Sequence, residues 1–223
     1  MAEARSLHEL RRELASRAPF LGQLASMSSG WPELDQRLGG WPRGGITLLT
    51  GPAGSGRLSL AAGLLAQRTQ QGEVVAFVDG SASAHPPALW QRGVILERTL
   101  MIRREDERVV YGFEQIVASG IFSAVVGFGL DPWLTPPRWR RLQSATEGAG
   151  VGTVLVTSPE TAASISGAAL RLDLEPSQTE VRVAVRKDRS GRASGQSFPL
   201  AGMHGALSGF RRTLGSPGAF RSD

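Results

Sequence analysis

Apolar positions recur along this chain in two spacings. Leu7, Leu10 and Leu14 fall at i, i+3 and i+7, with Arg5, Glu9, Arg12 and Glu13 on the polar side. That period predicts an amphipathic helix over residues 3–17, interrupted by Pro19. The stretch Ser26–Gly45 is rich in Gly, Pro and Ser and reads as a linker, with a short helical turn around Pro32–Leu38. Beyond it, short unbroken apolar runs alternate with helix-spaced ones. Ile46–Thr50, Glu73–Asp79, Thr99–Ile102, Ser123–Phe128 and Gly152–Thr157 predict strands, and Arg57–Gln70, Asp106–Ser119 and Pro137–Glu147 predict helices. Leu170–Leu174 and Glu180–Arg186 predict two more strands, paired antiparallel. Strands separated by helices imply an α/β fold with a mainly parallel central sheet flanked by helices. The expected organisation is an N-terminal helix and linker over 1–27, a core over 28–203 and a mobile Gly/Arg-rich tail over 204–223.

One stretch changes the picture. GPAGSGRL, Gly51 to Leu58, directly follows the predicted strand Ile46–Thr50 and opens the predicted helix Arg57–Gln70. Strand, glycine-rich loop and helix in that order are the context of a phosphate-binding loop, with Gly51, Gly54 and Gly56 letting backbone amides converge on an anion. The chemistry of such a loop needs a lysine for the β- and γ-phosphates and then a hydroxyl for Mg²⁺. Here those positions are Arg57 and Leu58. Arginine is bulkier and planar, so the exchange is not conservative, and leucine cannot ligate a metal. Removing one preorganised donor costs about 2.7–4 kcal/mol of transition-state stabilisation. A weak, metal-free contact with a phosphate is the most this loop retains.

The acidic positions follow the same trend. A nucleotide hydrolase of this type needs an aspartate at the end of an apolar strand, and the strand SAVVGFG offers Gly127 there. Asp131 comes four residues later, before Pro132, where a turn or helix-cap role fits. The base that would activate water belongs just past Glu73–Asp79, at Ser81, with Asp79 the nearest carboxylate.

At this point the sequence resembles the core of RecA-type recombinases. Ser29-Gly30, Leu34-Asp35, Leu38-Gly39-Gly40, Pro42-Arg43-Gly44 and the Gly51–Leu58 loop occur in that family's order. The similarity runs over about residues 28–200, through GEVVAFVDGSASAHP, RTLMIR and VASGIFSAVVGF to EVRVAVRKDRSG. It implies a RecA-like P-loop core with degenerate Walker motifs. In the family, the basic residues after the late strand reach a neighbouring subunit's ATP. Arg186 and Lys187 keep positive charge there, and Asp188 breaks the run. Pro159 falls near the family's sensor glutamine, and the loops that would bind DNA along a filament axis are short.

A short RecA-like chain without the ATPase residues is similar to the ImuA group, sometimes labelled SulA-like. That resemblance implies a non-catalytic accessory factor of SOS-induced translesion synthesis and mutagenesis, partnered by a RecA-type recombinase and by ImuB, an inactive relative of Y-family polymerases. On this reading Leu7, Leu10, Arg11 and Leu14 occupy the place of the helix that docks recombinase protomers together. Phe210, Arg211 and Arg212 suit a linear motif for an ImuB-like partner, or a weak DNA contact by stacking and charge. The rival readings are a SulA-like division inhibitor, a residual ATPase using Arg57, and a DNA-binding module.

Composition narrows these choices only in part. The chain is 41% hydrophobic and 20% charged, ordinary for a globular protein. It has no cysteine, so disulfides and thiolate metal sites are excluded, and His8, His85 and His204 are too scattered for a metal centre. No metal and no cofactor are expected. No apolar run approaches the ~20 residues of a membrane helix, and the N-terminus lacks the apolar core of a signal peptide. A cytoplasmic or nucleoid-associated address follows. The net charge is +5 and Lys187 is the only lysine, so the excess is arginine. Guanidinium forks suit phosphate or carboxylate partners, although genome base composition explains the same bias.

Overall fold

A computed structural model describes residues 25–177 and 180–200 of the chain. The amphipathic helix expected over 3–17 and the tail residues Phe210, Arg211 and Arg212 lie outside the described residues. An eight-stranded sheet dominates, in the order β10-β9-β8-β3-β7-β6-β4-β5. Its six parallel strands are β3 (Gly45–Thr50), β4 (Val75–Asp79), β5 (Thr99–Arg103), β6 (Ala124–Phe128), β7 (Gly152–Val156) and β8 (Leu170–Pro176). Strand β9 (Val181–Asp188) pairs antiparallel with β8, as its alternation predicts, and β10 (Ser197–Leu200) pairs antiparallel with β9. The α/β fold with a mainly parallel sheet is the one the apolar pattern requires.

Each sheet face has its own core, which is why the central strands read as continuous apolar runs. On one face the helix α2 (Arg57–Gln70) buries Leu60, Leu64 and Leu65 against Phe77, Val126, Val154 and Leu172. The other face is covered by α4 (Arg108–Ala118) and α5 (Pro136–Ala149), with Phe113 and Trp139 packed among Leu48, Val78, Val125 and Leu155. Helix α4 carries its buried residues at 109, 110, 113, 116 and 117, a stripe of helical period. Two shorter helices, α3 (Pro86–Gln91) and α6 (Pro159–Ser164), begin on a proline whose missing N–H would have no partner in a first turn.

The predicted linker is ordered. Strand β1 (Ser26–Met27) pairs with β2 (Trp41–Pro42), so the fold takes in two residues ahead of position 28. Between them α1 (Pro32–Leu38) buries Leu34 and Leu38, and Gly39 ends it in the left-handed conformation at φ 78°. The Asp35 carboxylate accepts from Ser28 Oγ at 2.7 Å and Ser29 N at 2.9 Å, so the SSG…LD motif acts here as a staple. The Trp31 indole donates to the Leu60 carbonyl at 3.2 Å and lies over Gly63, where a Cβ would strike it. The linker is thereby locked to the helix that carries the glycine-rich loop. No helix among the described residues is long and apolar enough to cross a membrane.

Candidate functional site

The loop Gly51–Leu58 leaves the C-terminal end of β3, at the centre of the sheet, and turns into α2. Gly51, Gly54 and Gly56 have φ of 138°, 77° and 87°. Gly51 has a second constraint: a Cβ there would collide with the Leu174 carbonyl and lie 2.9 Å from Ser55 Oγ. The loop therefore keeps the backbone path of a phosphate-binding loop. Ser55 within it is fully buried, and its Oγ has no hydrogen-bond partner among the described residues.

Arg57, at the lysine position, turns inward. Its Nη1 donates to the Thr157 carbonyl at 2.9 Å, just beyond β7. Burial lowers the guanidinium pKa, and the facing Asp131 carboxylate partly restores it. Asp131 begins the turn after β6 and accepts from Thr157 Oγ1 at 2.5 Å and Ser158 N at 2.7 Å. Burial disfavours the Asp131 anion, but the hydrogen bonds from Ser158 N and Thr157 outweigh it and hold the carboxyl below the usual aspartate range. Three C-terminal strand ends are thus tied together by a cation and an anion. The turn role expected for Asp131 is present, and the contact with Thr157 and Ser158 adds to it. Sequence reading missed that link because it joins groups 26 and 27 residues apart. The signal that would have found it is the neighbouring of β6 and β7.

The positions that would hold a metal are apolar. Leu58, at the hydroxyl position, packs against the core on the α2 face. Gly127, expected at the aspartate position, points the other way. A Cβ on it would lie 2.7 Å from Leu155 Cδ2, 2.8 Å from Leu130 Cδ1 and 3.1 Å from Phe113 Cε2, all in the opposite core. Strand alternation turns Phe128 to the α2 face, where it and Leu58 both pack against the same core. The side chain that this strand end turns to the face of α2 is therefore Phe128 and not a carboxylate. Ser81 does lie just past β4, bonded through Oγ to Asp79 Oδ1 at 2.8 Å and paired with Ser83 Oγ at 2.7 Å. Asp79 is fully buried and also accepts from Ala84 N at 2.7 Å, so its carboxylate shapes the loop. Leucine, phenylalanine and a tied arginine do not fit a magnesium nucleotide.

The late basic segment is also engaged internally. Arg186 Nε donates to Asp173 at 2.7 Å and its Nη2 to Glu175 at 3.2 Å. Asp173 further accepts from the Thr50 hydroxyl, so this network reaches the strand that feeds the glycine-rich loop. Asp188, which breaks the basic run, fixes the β9–β10 turn through Ser190 N at 2.9 Å and Ala193 N at 3.0 Å. Pro159 opens α6 behind the cap Ser158, whose Oγ accepts from Thr161 N at 3.1 Å. On α5, Arg138 and Arg141 pair with Glu107 at 3.0 Å and Glu114 at 3.2 Å, which clasps α5 to the segment carrying α4.

The sheet order, the glycine-rich loop at its centre and the antiparallel pair at one edge define a P-loop α/β protein. A model of the RecA N-terminal domain matches residues 16–127, half of the 223 residues, and the chain belongs to that family. Protein RecA of Rubrobacter xylanophilus is 34% identical over 107 residues, 47% of this chain and 31% of that protein. Protein RecA of Bacillus subtilis is 33% identical over 107 residues with the same coverage, and that of Thermotoga neapolitana 33% over 91 residues, 40% of this chain and 26% of its own. The match spans less than a third of the length of these relatives.

Proposed function

We propose that this protein is a non-catalytic RecA-like accessory factor of damage-induced, error-prone translesion synthesis, of the ImuA kind. It acts in the cytoplasm by binding a RecA-type recombinase, an ImuB-like polymerase relative, or both. The observation that carries the non-catalytic half is Arg57 bonded to the Thr157 carbonyl, with Leu58 and Phe128 on the face where metal ligands would stand. A site so filled leaves contact surfaces as the means of action. The partner half rests on the resemblance to the ImuA group and on the leucine face Leu7, Leu10 and Leu14, edged by Arg11. Arg138 and Arg141 are paired with Glu107 and Glu114, which weighs against a phosphate-binding role for these two guanidiniums.

The test is co-purification of the tagged protein from DNA-damaged cells of its own source. Recovery of a recombinase or an ImuB-like protein is expected, and Leu10→Asp removes the recombinase without lowering solubility. Recovery of the tubulin-like division protein instead replaces this reading with a SulA-like one.

A further inference from the structure

A cleft of about 310 Å³ lies between α6, with the segment that follows it, and the strand pair β8–β9. Leu48, Ala162 and Ile165 make its apolar side, and Arg171, Arg186 and Lys187 its charged side. Clefts beside Gly39 and beside Gly120 each carry a carboxylate in their lining, Asp188 and Glu73, whereas this one carries none.

Strand register gathers these cations. Arg171 and Lys187 are direct partners across β8 and β9, and like charges placed so are destabilising. A bulge beside Arg171 shifts the register by one residue and brings Arg186 into the same lining. Arg186 is matched by acid, at Asp173 and Glu175. Arg171 is not: Asp173 comes to 3.5 Å from its Nε but hydrogen-bonds Arg186 and Thr50, and that Nε has no hydrogen-bond partner among the described residues. The Lys187 ammonium has no ion pair or hydrogen bond among the described residues. Both walls are preformed. Arg171 Nη1 donates to the Ala162 carbonyl at 3.2 Å, which fixes the guanidinium against α6. The Ser166 carbonyl accepts from Gln143 Nε2 at 3.2 Å and the Gly167 carbonyl from Arg189 Nη2 at 3.1 Å. The N–H groups of Gly167 and Ala168, in the same wall, donate to nothing among the described residues.

We propose that this cleft binds a phosphate group, free or carried by a small organic molecule, with Lys187 and Arg171 as its cations. An anion there relieves the repulsion of the cross-strand pair and supplies the acceptor that Lys187 lacks. Charge-assisted bonds from an ammonium and a guanidinium are the strong class of phosphate contact. The volume sits at the small end of the range for ligand pockets, and Ala162 and Ile165 offer an apolar surface to whatever the phosphate is attached to. The site is complete within one chain. It is separate from the glycine-rich loop, whose cation Arg57 is tied to the Thr157 carbonyl. It also stands independently of the accessory-factor reading.

Isothermal titration calorimetry of the full chain, in metal-free buffer at constant ionic strength, takes inorganic phosphate and phenyl phosphate as probes. Lys187 is exposed, so Lys187→Ala leaves the core intact. The unaltered chain is expected to bind at least one probe. Lys187→Ala weakens that binding at least about tenfold, as loss of one charged hydrogen bond does, and Lys187→Arg restores most of it. Arg57→Ala binds as the unaltered chain does. Tighter binding of phenyl phosphate identifies an organic phosphate as the ligand, and equal binding identifies free phosphate. Binding of neither probe overturns the proposal. Affinity lost in Arg57→Ala but kept in Lys187→Ala also overturns it, by placing the anion in the glycine-rich loop. So does a single-stranded oligonucleotide held through Lys187 with no response to either probe, which would make the cleft part of a strand-binding surface.

Discussion

Replacing Arg57 by alanine separates two roles open to a P-loop cation. The change removes the 2.9 Å bond to the Thr157 carbonyl and the positive charge facing Asp131. A hydrogen bond from a charged donor contributes about 1.5–3 kcal/mol. The guanidinium is only partly buried, so the lower end, about 1.5 kcal/mol, is expected. For a domain of this size each kcal/mol moves Tm by about 2–4 °C, a fall of ~3–6 °C. With a urea slope near 2 kcal/mol/M the midpoint drops by about 0.7 M. Urea unfolding followed by tryptophan fluorescence reads this directly. Combined with Asp131→Asn in a double-mutant cycle, the two changes couple by at least about 0.5 kcal/mol. An unchanged midpoint together with lost nucleotide affinity refutes the reasoning, because the guanidinium would then serve a phosphate.

Other outcomes follow from the same geometry. Gly127→Asp forces a carboxylate against Leu155, Leu130 and Phe113 and costs about 3 kcal/mol or more, whereas Phe128→Asp, at a partly exposed site, costs clearly less; thermal melts of the two variants compare them. The carboxyls of Asp131 and Asp173 are held below the ordinary aspartate value of about 3.9. Their stabilisation is complete above that pH and is lost as pH falls through their lowered folded-state values. Asp131→Asn should therefore flatten the loss of stability below about pH 4, measured by urea titrations across that range.

Much of the fold is legible in the apolar pattern. Helix Arg57–Gln70 matches its predicted bounds, and the predicted strands between Ile46 and Thr157 agree within two residues at each end. Strand β10 escapes because Pro199 interrupts its run, which an edge strand tolerates and a sequence scan does not credit. Helices α3 and α6 span six residues each, too short to establish a period. At the site, the missing hydroxyl and carboxylates can be read directly from Leu58 and Ser81. The strand position facing the loop cannot, because a shift of one residue reverses the face. Gly127 reads as the vacant aspartate position until packing shows that Phe128 shares the face of Leu58. The clamp of Arg57, Asp131 and Thr157 depends on strand order and is not visible locally.

The most direct measurement is ATP turnover by the full chain with saturating Mg²⁺ and single-stranded DNA. A loop whose cation is tied to Thr157 and whose metal positions are leucine and phenylalanine predicts a rate equal to the protein-free control, unchanged by Arg57→Ala. A Mg²⁺-dependent rate above that control, abolished by Arg57→Ala, would contradict it.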